Sequence, residues 1–91
     1  MKQIHVLVTG FVQNVGFRKF VRHHAKKLVL SGWTRNLEDG TVEVVAIGEK
    51  EKLQELLTKI ERGPQFSQVD NVHTEWEDVQ EVFEGFVIRR E

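Results

Sequence analysis

Residues 4–25 decide the fold, and they read IHVLVTGFVQNVGFRKFVRHHA. Residues 4–9 are apolar and β-rich, and their alternation places Ile4, Val6 and Val8 on one face and His5, Leu7 and Thr9 on the other, which predicts a β-strand. Residues 10–16 break this alternation and predict a loop. From Phe17 onward the apolar residues recur at helical spacing, so we expect a helix that runs to about Val29.

The rest of the chain continues with two strands, a helix and two further strands. The strands are predicted over residues 33–37, 41–47, 69–76 and 83–88, and the helix over residues 49–63. Asp39-Gly40 is a strong hairpin signal, and Gly63 followed by Pro64 ends the helix. We interpret the short final strand as split from the fourth, so the order is βαββαβ. Right-handed crossovers then predict an α+β, ferredoxin-like βαββαβ sandwich, an antiparallel sheet with two helices on one face. Such a fold does not define a function.

Length and composition predict one domain over residues 1–91, without cysteine chemistry. The chain has 91 residues and no cysteine, which excludes disulfides and thiolate metal sites. No apolar run reaches the roughly 20 residues that a membrane helix needs, so we expect no membrane partner. The absence of cysteine is compatible with the cytoplasm, which is the compartment that we expect. Residues 1–37 contain seven Lys or Arg and no Asp or Glu. Either this half of the molecule binds an anion, or two solvated faces differ in charge.

The start of the first helix has the wrong charge for a helix N-terminus. Arg18, Lys19 and Arg22 stand where an acidic residue would be favourable, which costs about 0.3–1 kcal/mol per exposed cation. A bound phosphate would reverse this effect, because free backbone N–H groups and a guanidinium could converge on it. The ATP-binding loop motif and the dinucleotide fingerprint both fit poorly. Residue types alone leave a plain basic surface helix equally open.

Two short motifs resemble the signatures of one enzyme family. Residues 10–18, GFVQNVGFR, resemble the acylphosphatase signature Gly-x-Val-Gln-Gly-Val-x-Phe-Arg. Residues 32–36, GWTRN, resemble the second signature of that family, and the similarity extends over essentially the whole chain. The resemblance implies hydrolysis of a small acyl phosphate to a carboxylate and inorganic phosphate. It also implies a ferredoxin-like fold and no metal or organic cofactor.

The resemblance also implies roles for particular residues. Arg18 and Asn36 are the implied catalytic residues: Arg18 binds the phosphate and Asn36 holds the attacking water. The implied phosphate-binding loop consists of Gln13, Asn14, Val15, Gly16, Phe17 and Arg18. Two positions depart from the family pattern, because Asn14 and Val29 stand where glycine is usual. If both have a positive φ, Asn14 is tolerated but Val29 is strained by about 1–2 kcal/mol.

Other ligands fit the sequence less well. His23 and His24 are consecutive on a helix and point about 100° apart, so they cannot share a metal ion. His5 and His73 are cross-strand neighbours if the first and fourth strands pair, but two ligands without cysteine make a poor site. We therefore expect no metal.

Two non-catalytic alternatives remain open at this point. An RNA-binding domain shares this topology, but the third strand has no aromatic residue for base stacking and contains Glu43. A phosphate-binding module without turnover is the other alternative. Salt-sensitive RNA binding would indicate the first, and phosphate binding without hydrolysis the second. We expect a monomeric enzyme with no nucleic-acid partner.

Overall fold

The computed structural model describes residues 1–80 and 83–90. Its elements follow the predicted order. They are β1 (Lys2–Phe11), α1 (Phe17–Lys27), β2 (Ser31–Asn36), β3 (Val42–Gly48), α2 (Lys50–Arg62), β4 (Gln68–Asp78) and β5 (Phe86–Ile88). The last strand was predicted over residues 83–88 but begins only at Phe86, so residues 83–85 precede it. Residues 81 and 82 lie outside the described residues.

The five strands form one sheet in the order β4-β1-β3-β2-β5. β1 pairs antiparallel with β3 and β4, and β3 pairs antiparallel with β2. β5 instead pairs parallel with β2, with Thr34 opposite Ile88, so the sheet is mixed. The α+β, ferredoxin-like fold is confirmed, but the sheet is not antiparallel throughout, because the short β5 adds to the edge formed by β2.

One face of the sheet is buried against both helices. Alternate residues of β1 and β3 contact apolar residues of α1 and α2 in a single cluster. Its sheet side includes Ile4, Val6, Val8, Val42, Val44 and Ala46, and its helix side includes Phe17, Val21, Leu53, Leu56 and Ile60. The strict alternation along β1 therefore fixes which face meets the helices. Burial of one such side chain contributes about 1.5–3 kcal/mol.

A bulge ends the regular part of β1 just before the loop that leads to α1. The register between β1 and β4 shifts between Thr9 and Gly10. Gly10 has φ 130°, and a Cβ there would lie 2.2 Å from the carbonyl oxygen of Gln68. Only glycine allows this close approach of the two backbones, and the bulge turns the chain toward α1.

Helix α1 ends two residues before the predicted position, in a Schellman motif built on Val29. The N–H of Leu30 donates to the carbonyl of Ala25, and the N–H of Val29 donates to that of Lys26. Val29 occupies the left-handed position of this motif with φ 58°, and its side chain is 89% exposed. The strain predicted for this β-branched residue is therefore present, and almost no burial offsets it.

Replacing Val29 with glycine is expected to raise the free energy of unfolding by about 1 kcal/mol. Relief of about 1–2 kcal/mol of backbone strain is partly offset by the greater freedom of glycine in the unfolded chain. Urea unfolding at neutral pH measures the change. Val29→Ala is the matched control, because it removes the exposed branch but keeps the Cβ, and it should gain less. A variant no more stable than the wild type would contradict the strain.

The other face of the sheet carries a cluster of ion pairs centred on Glu43. Its carboxylate lies 2.6 Å from Nε2 of His5 and accepts a hydrogen bond from Nε of Arg35, also at 2.6 Å. Burial raises the pKa of Glu43, but the hydrogen bonds from His5 and Arg35 outweigh this and leave that pKa lowered. The guanidiniums of Arg35 and Arg89 stack on the ring of Trp33, at 5.3 and 4.6 Å from its centroid. Glu43 therefore stands in an ion-pair cluster on this face, and the Trp33 ring is contacted by two guanidiniums, unlike the open aromatic rings on which a base-stacking protein binds nucleotides.

Helices of the described residues are all too short or too polar to cross a membrane.

Candidate active site

Three segments of the chain meet in a cleft at one end of the sheet. The segments are the loop from β1 to α1 with the first turn of α1, the end of β2, and the end of β5 with Arg90 beyond it. The cleft has a volume of about 230 Å³. Its described lining residues are Val12, Asn14, Gly16, Phe17, Arg18, Lys19, Asn36, Ile88 and Arg90. The two residues that the motifs single out, Arg18 and Asn36, therefore lie in one cavity although 17 positions separate them.

The loop backbone takes a left-handed turn twice before α1 begins. Asn14 has φ 64°, and Gly16, the N-cap of α1, has φ 77° and ψ 20°. No side chain caps the helix, and its first turn contains no acidic residue. The first intrahelical hydrogen bond runs from the N–H of Phe20 to the carbonyl of Gly16, so the N–H groups before Phe20 have no partner within the helix. Asn14 thus has the positive φ at which asparagine is tolerated in place of glycine.

Arg18 reaches across the cleft to the residues that follow β5. Its Nη1 donates to the carbonyl oxygen of Arg89 at 3.3 Å. No salt bridge within residues 1–80 and 83–90 involves Arg18. The guanidinium thus keeps donors for a further acceptor in the cleft. Lys19 and Arg90 add two more cations to the lining, and none of the described lining residues is acidic.

Asn36 ends β2 and turns its side chain into the same cavity. Its Oδ1 is buried and accepts no hydrogen bond from any described residue. Burying an unpartnered amide oxygen is unfavourable by about 1–3 kcal/mol, and such groups are rare in folded proteins. Thr34, two residues earlier on the strand, points into the core and donates to the carbonyl of Glu43 at 2.8 Å. Nothing in the packing of β2 explains the unpartnered oxygen of Asn36.

Gln13 connects the loop to the β2–β3 hairpin and does not line the cleft with its side chain. Its Nε2 donates to the carbonyls of Leu37, at 2.8 Å, and Thr41, at 3.1 Å. In the same hairpin the N–H of Thr41 donates to Oδ1 of Asp39, which lowers the pKa of that carboxyl. Val15 likewise turns away from the cleft and packs against the core. Of the six predicted loop residues, Gln13 and Val15 are therefore absent from the lining.

Several lining residues were not predicted from the sequence. Lys19, Ile88 and Arg90 lie outside both motifs, and Val12 was not singled out within the first. The alternation of side chains along β5 could have predicted that Ile88 and Arg90 face the cleft. Phe86 is buried in the core, and residues 88 and 90 lie on the same side of the strand as Phe86. The parallel pairing of β5 with β2 then brings that side next to Asn36, which the sequence does not indicate.

The histidines do not gather around one point. His5 lies opposite Glu75 and His73 lies opposite Leu7, so the two histidines are diagonal rather than directly paired. Within residues 1–80 and 83–90 no three His, Asp or Glu side chains form a group that could hold a metal ion. His24 packs against Phe20, and burial lowers its pKa, followed by repulsion from His23.

Comparison with known proteins agrees with the fold and with both motifs. The family model described as Acylphosphatase matches residues 4–88. A protein named acylphosphatase from Geobacillus thermodenitrificans is 49% identical over 88% of this chain and 85% of its own length. One from Salinibacter ruber is 40% identical over 98% of this chain and 94% of its own length. The crystal structure of acylphosphatase from Bacillus subtilis matches with a TM-score of 0.95 at 37% identity, covering 98% of this chain and 99% of that one.

The mixed five-stranded sheet with its cleft at the β1–α1 loop defines an α+β protein of ferredoxin-like architecture. Within that architecture, the chain belongs to the acylphosphatase family. The family predicted from residues 10–18 and 32–36 is thus confirmed. The RNA-binding and non-catalytic alternatives find no support in these comparisons.

Proposed function

We propose that this chain hydrolyses acyl phosphates in the cleft between the β1–α1 loop and β2, with Arg18 and Asn36 as its catalytic residues. The phosphoryl group would bind at the backbone N–H groups of residues 13–18 and at the guanidinium of Arg18. One observation carries the proposal. Asn36 and Arg18 line the same cavity, and the buried Oδ1 of Asn36 has no hydrogen-bond partner among the described residues, so a water bound between Asn36 and the phosphate would satisfy that oxygen.

The backbone of the loop supports the phosphate site. Successive residues with alternating right- and left-handed conformations turn their N–H groups toward one side and form an anion-binding concavity. Asn14 and Gly16 supply the left-handed positions, and the unpaired N–H groups of the first turn of α1 add the positive end of the helix dipole. Arg18 adds charge-assisted hydrogen bonds to the equatorial oxygens. When phosphate is bound, the basic side chains in the first turn of α1 would lie near its negative charge, and their placement at the helix N-terminus becomes favourable.

The reaction itself needs positioning and charge stabilisation. The water oxygen attacks phosphorus, the bond between phosphorus and the acyl oxygen breaks, and that oxygen keeps the bonding electrons. An acyl phosphate dianion and water thus give a carboxylate and dihydrogen phosphate, and the water proton ends on a phosphate oxygen. A carboxylate is the base of an acid with a pKa near ~4, so it leaves without a general acid. The proposed step draws on no cofactor.

Asn36 acts in this proposal by orienting the water. A carboxamide does not bind protons near neutral pH, so Asn36 is not a general base. Its Oδ1 accepts a hydrogen bond from the water and directs a lone pair at phosphorus. The side chain of Gln13 is a positioning group, because it holds the loop on the hairpin that begins where Asn36 ends β2. These hydrogen bonds of Gln13 would keep the N–H groups of the loop at a fixed distance from the water that Asn36 holds.

Turnover of benzoyl phosphate is the direct test of this function. The folded protein should release benzoate in the presence of EDTA. p-Nitrophenyl phosphate should be a poor substrate, because its phenolate is a worse leaving group than a carboxylate and the site offers no acid. Inorganic phosphate, as a product, should compete with the substrate. A folded protein without turnover, or one inactivated by EDTA, would refute the proposal.

Asn14→Gly is expected to change kcat/KM for benzoyl phosphate by less than about threefold. Asn14 already holds the left-handed backbone that glycine would adopt, and asparagine tolerates this region at little cost. Asn14→Ala is the matched control, because alanine is strained there, and it should lose more activity than the glycine variant. A rate increase above about tenfold in the glycine variant, roughly 1.4 kcal/mol, would show instead that the Asn14 side chain crowds the phosphate.

We further propose that the active unit is a cytoplasmic monomer and a single domain over residues 1–91, acting without nucleic acid. Both proposed catalytic residues, Arg18 and Asn36, line one cleft within a single chain, so the proposed reaction calls for no residue of a second copy. The match of the family model to residues 4–88 supports the single domain. Light scattering at assay concentration tests the oligomeric state, and activity that appears only in a dimer would contradict it.

A further inference from the structure

Arg90 lines the cleft, although it lies outside both sequence motifs. Alternation after β5 explains its position. The N–H of Arg89 donates to the carbonyl of Thr34 at 2.8 Å, which continues the pairing of β5 with β2. The Arg89 guanidinium lies 4.6 Å from the centre of the Trp33 ring, on the sheet face opposite the helices. Its neighbour Arg90 therefore points the other way, into the cleft.

The lining carries more positive charge than a phosphoryl group requires. Arg18, Lys19 and Arg90 are all cationic, and no described lining residue is acidic. A phosphoryl group near neutral pH carries about two negative charges, and the loop N–H groups share them with Arg18. Like charges in one cavity repel, so a further anion beside Arg90 would be favourable. Ile88 lies two residues before Arg90 and adds an apolar side chain to the lining of the same cleft.

We propose that Arg90 is a specificity-determining residue that favours acyl phosphates with a second anionic group on the acyl part, such as a carboxylate or a second phosphate. This inference rests on the proposed function. Arg18 and the loop bind the transferred phosphoryl group, the acyl carbons pass over Ile88, and the guanidinium of Arg90 pairs with the distant anion. Lys19 and Arg90 are both exposed, but Arg90 follows β5, the strand that pairs with the one carrying Asn36, so Arg90 makes the contact and Lys19 adds to the local field.

The test compares benzoyl phosphate with 3-carboxybenzoyl phosphate, which differ by one carboxylate. The ratio of their two kcat/KM values is measured in each protein, so that the intrinsic reactivities of the substrates cancel between variants. Arg90→Gln should lower the ratio for the charged substrate by about fivefold, as loss of one partly exposed ion pair predicts. Arg90→Lys should retain most of the preference. Added salt should reduce the wild-type ratio and leave that of Arg90→Gln nearly unchanged.

Arg89→Gln is the matched control for the selectivity ratio. It removes the same charge one residue away, from a side chain on the opposite face, and its ratio should equal that of the wild type. An unchanged ratio in Arg90→Gln would overturn the inference. So would an equal loss on both substrates with weaker competition by inorganic phosphate, because Arg90 would then bind the transferred group. Either result leaves turnover of benzoyl phosphate and the proposed function intact, whereas a wild type inactive on both substrates would defeat that function first.

Discussion

Arg18→Ala is expected to lower kcat/KM for benzoyl phosphate by about 1,000-fold or more. A guanidinium that stabilises charge in phosphoryl transfer contributes factors of about 10³–10⁵. Arg18 also contacts the ground-state phosphate in the proposed site, so competition by inorganic phosphate should weaken in the same variant. Steady-state kinetics with and without inorganic phosphate measure both effects. Arg18→Lys should recover part of the activity, because it restores the charge but not the planar fork.

Arg22→Ala is the matched control for Arg18. Arg22 lies one turn further along α1, carries the same charge and does not line the cleft. Its loss removes a long-range attraction only, so kcat should stay within about threefold of the wild-type value. Urea unfolding of both variants shows whether the helix is intact. An Arg18→Ala enzyme that is folded and fully active would remove Arg18 from the mechanism.

Asn36→Ala is expected to lower kcat by about 100-fold while phosphate competition is retained. The variant loses the group that orients the water, and misplacing a reactant by about 1 Å costs a factor of this size. The free energy of unfolding should stay the same or rise by about 1 kcal/mol, because the substitution removes a buried oxygen that has no partner among the described residues. A purely structural asparagine would give the opposite result, with lower stability and normal kcat.

Asn71→Ala is the matched control for Asn36. Asn71 lies exposed on β4 and does not line the cleft, so neither kcat nor phosphate competition should change. If Asn36→Ala instead weakens phosphate binding with kcat unchanged, Asn36 holds phosphate and another group must orient the water.

The sequence predicted the fold well because alternation and helical spacing are local signals. The strand predicted over residues 4–9 lies within β1, and the first helix begins at Phe17 as predicted but ends at Lys27, two residues early. The Asp39-Gly40 turn and the end of α2 before Gly63 also agree. The parallel pairing of β5 with β2 was missed, because three strand residues carry too little pattern to choose an edge or a direction.

Of the residues that line the cleft, the sequence predicted only residues that belong to one of the two motifs, residues 10–18 and 32–36. Arg18 and Asn36 lie in one cleft as the resemblance implied, whereas Arg90 enters through sheet topology that no short motif encodes. The sequence placed Gln13 in the phosphate loop but could not show that its side chain binds the carbonyls of the β2–β3 hairpin. At Val29, by contrast, the family pattern in the sequence did predict the backbone strain. The structure shows that α1 still ends in a Schellman motif despite this strain.

A crystal structure with bound inorganic phosphate tests the phosphate site most directly. If the β1–α1 loop and Arg18 form that site, the ion lies in the cleft with oxygens about 2.7–3.2 Å from the guanidinium and from several N–H groups of residues 13–18. A water should bridge the phosphate and Oδ1 of Asn36. Phosphate bound elsewhere, or an Arg18 guanidinium paired with a carboxylate and closed to the ion, would contradict the proposed active site.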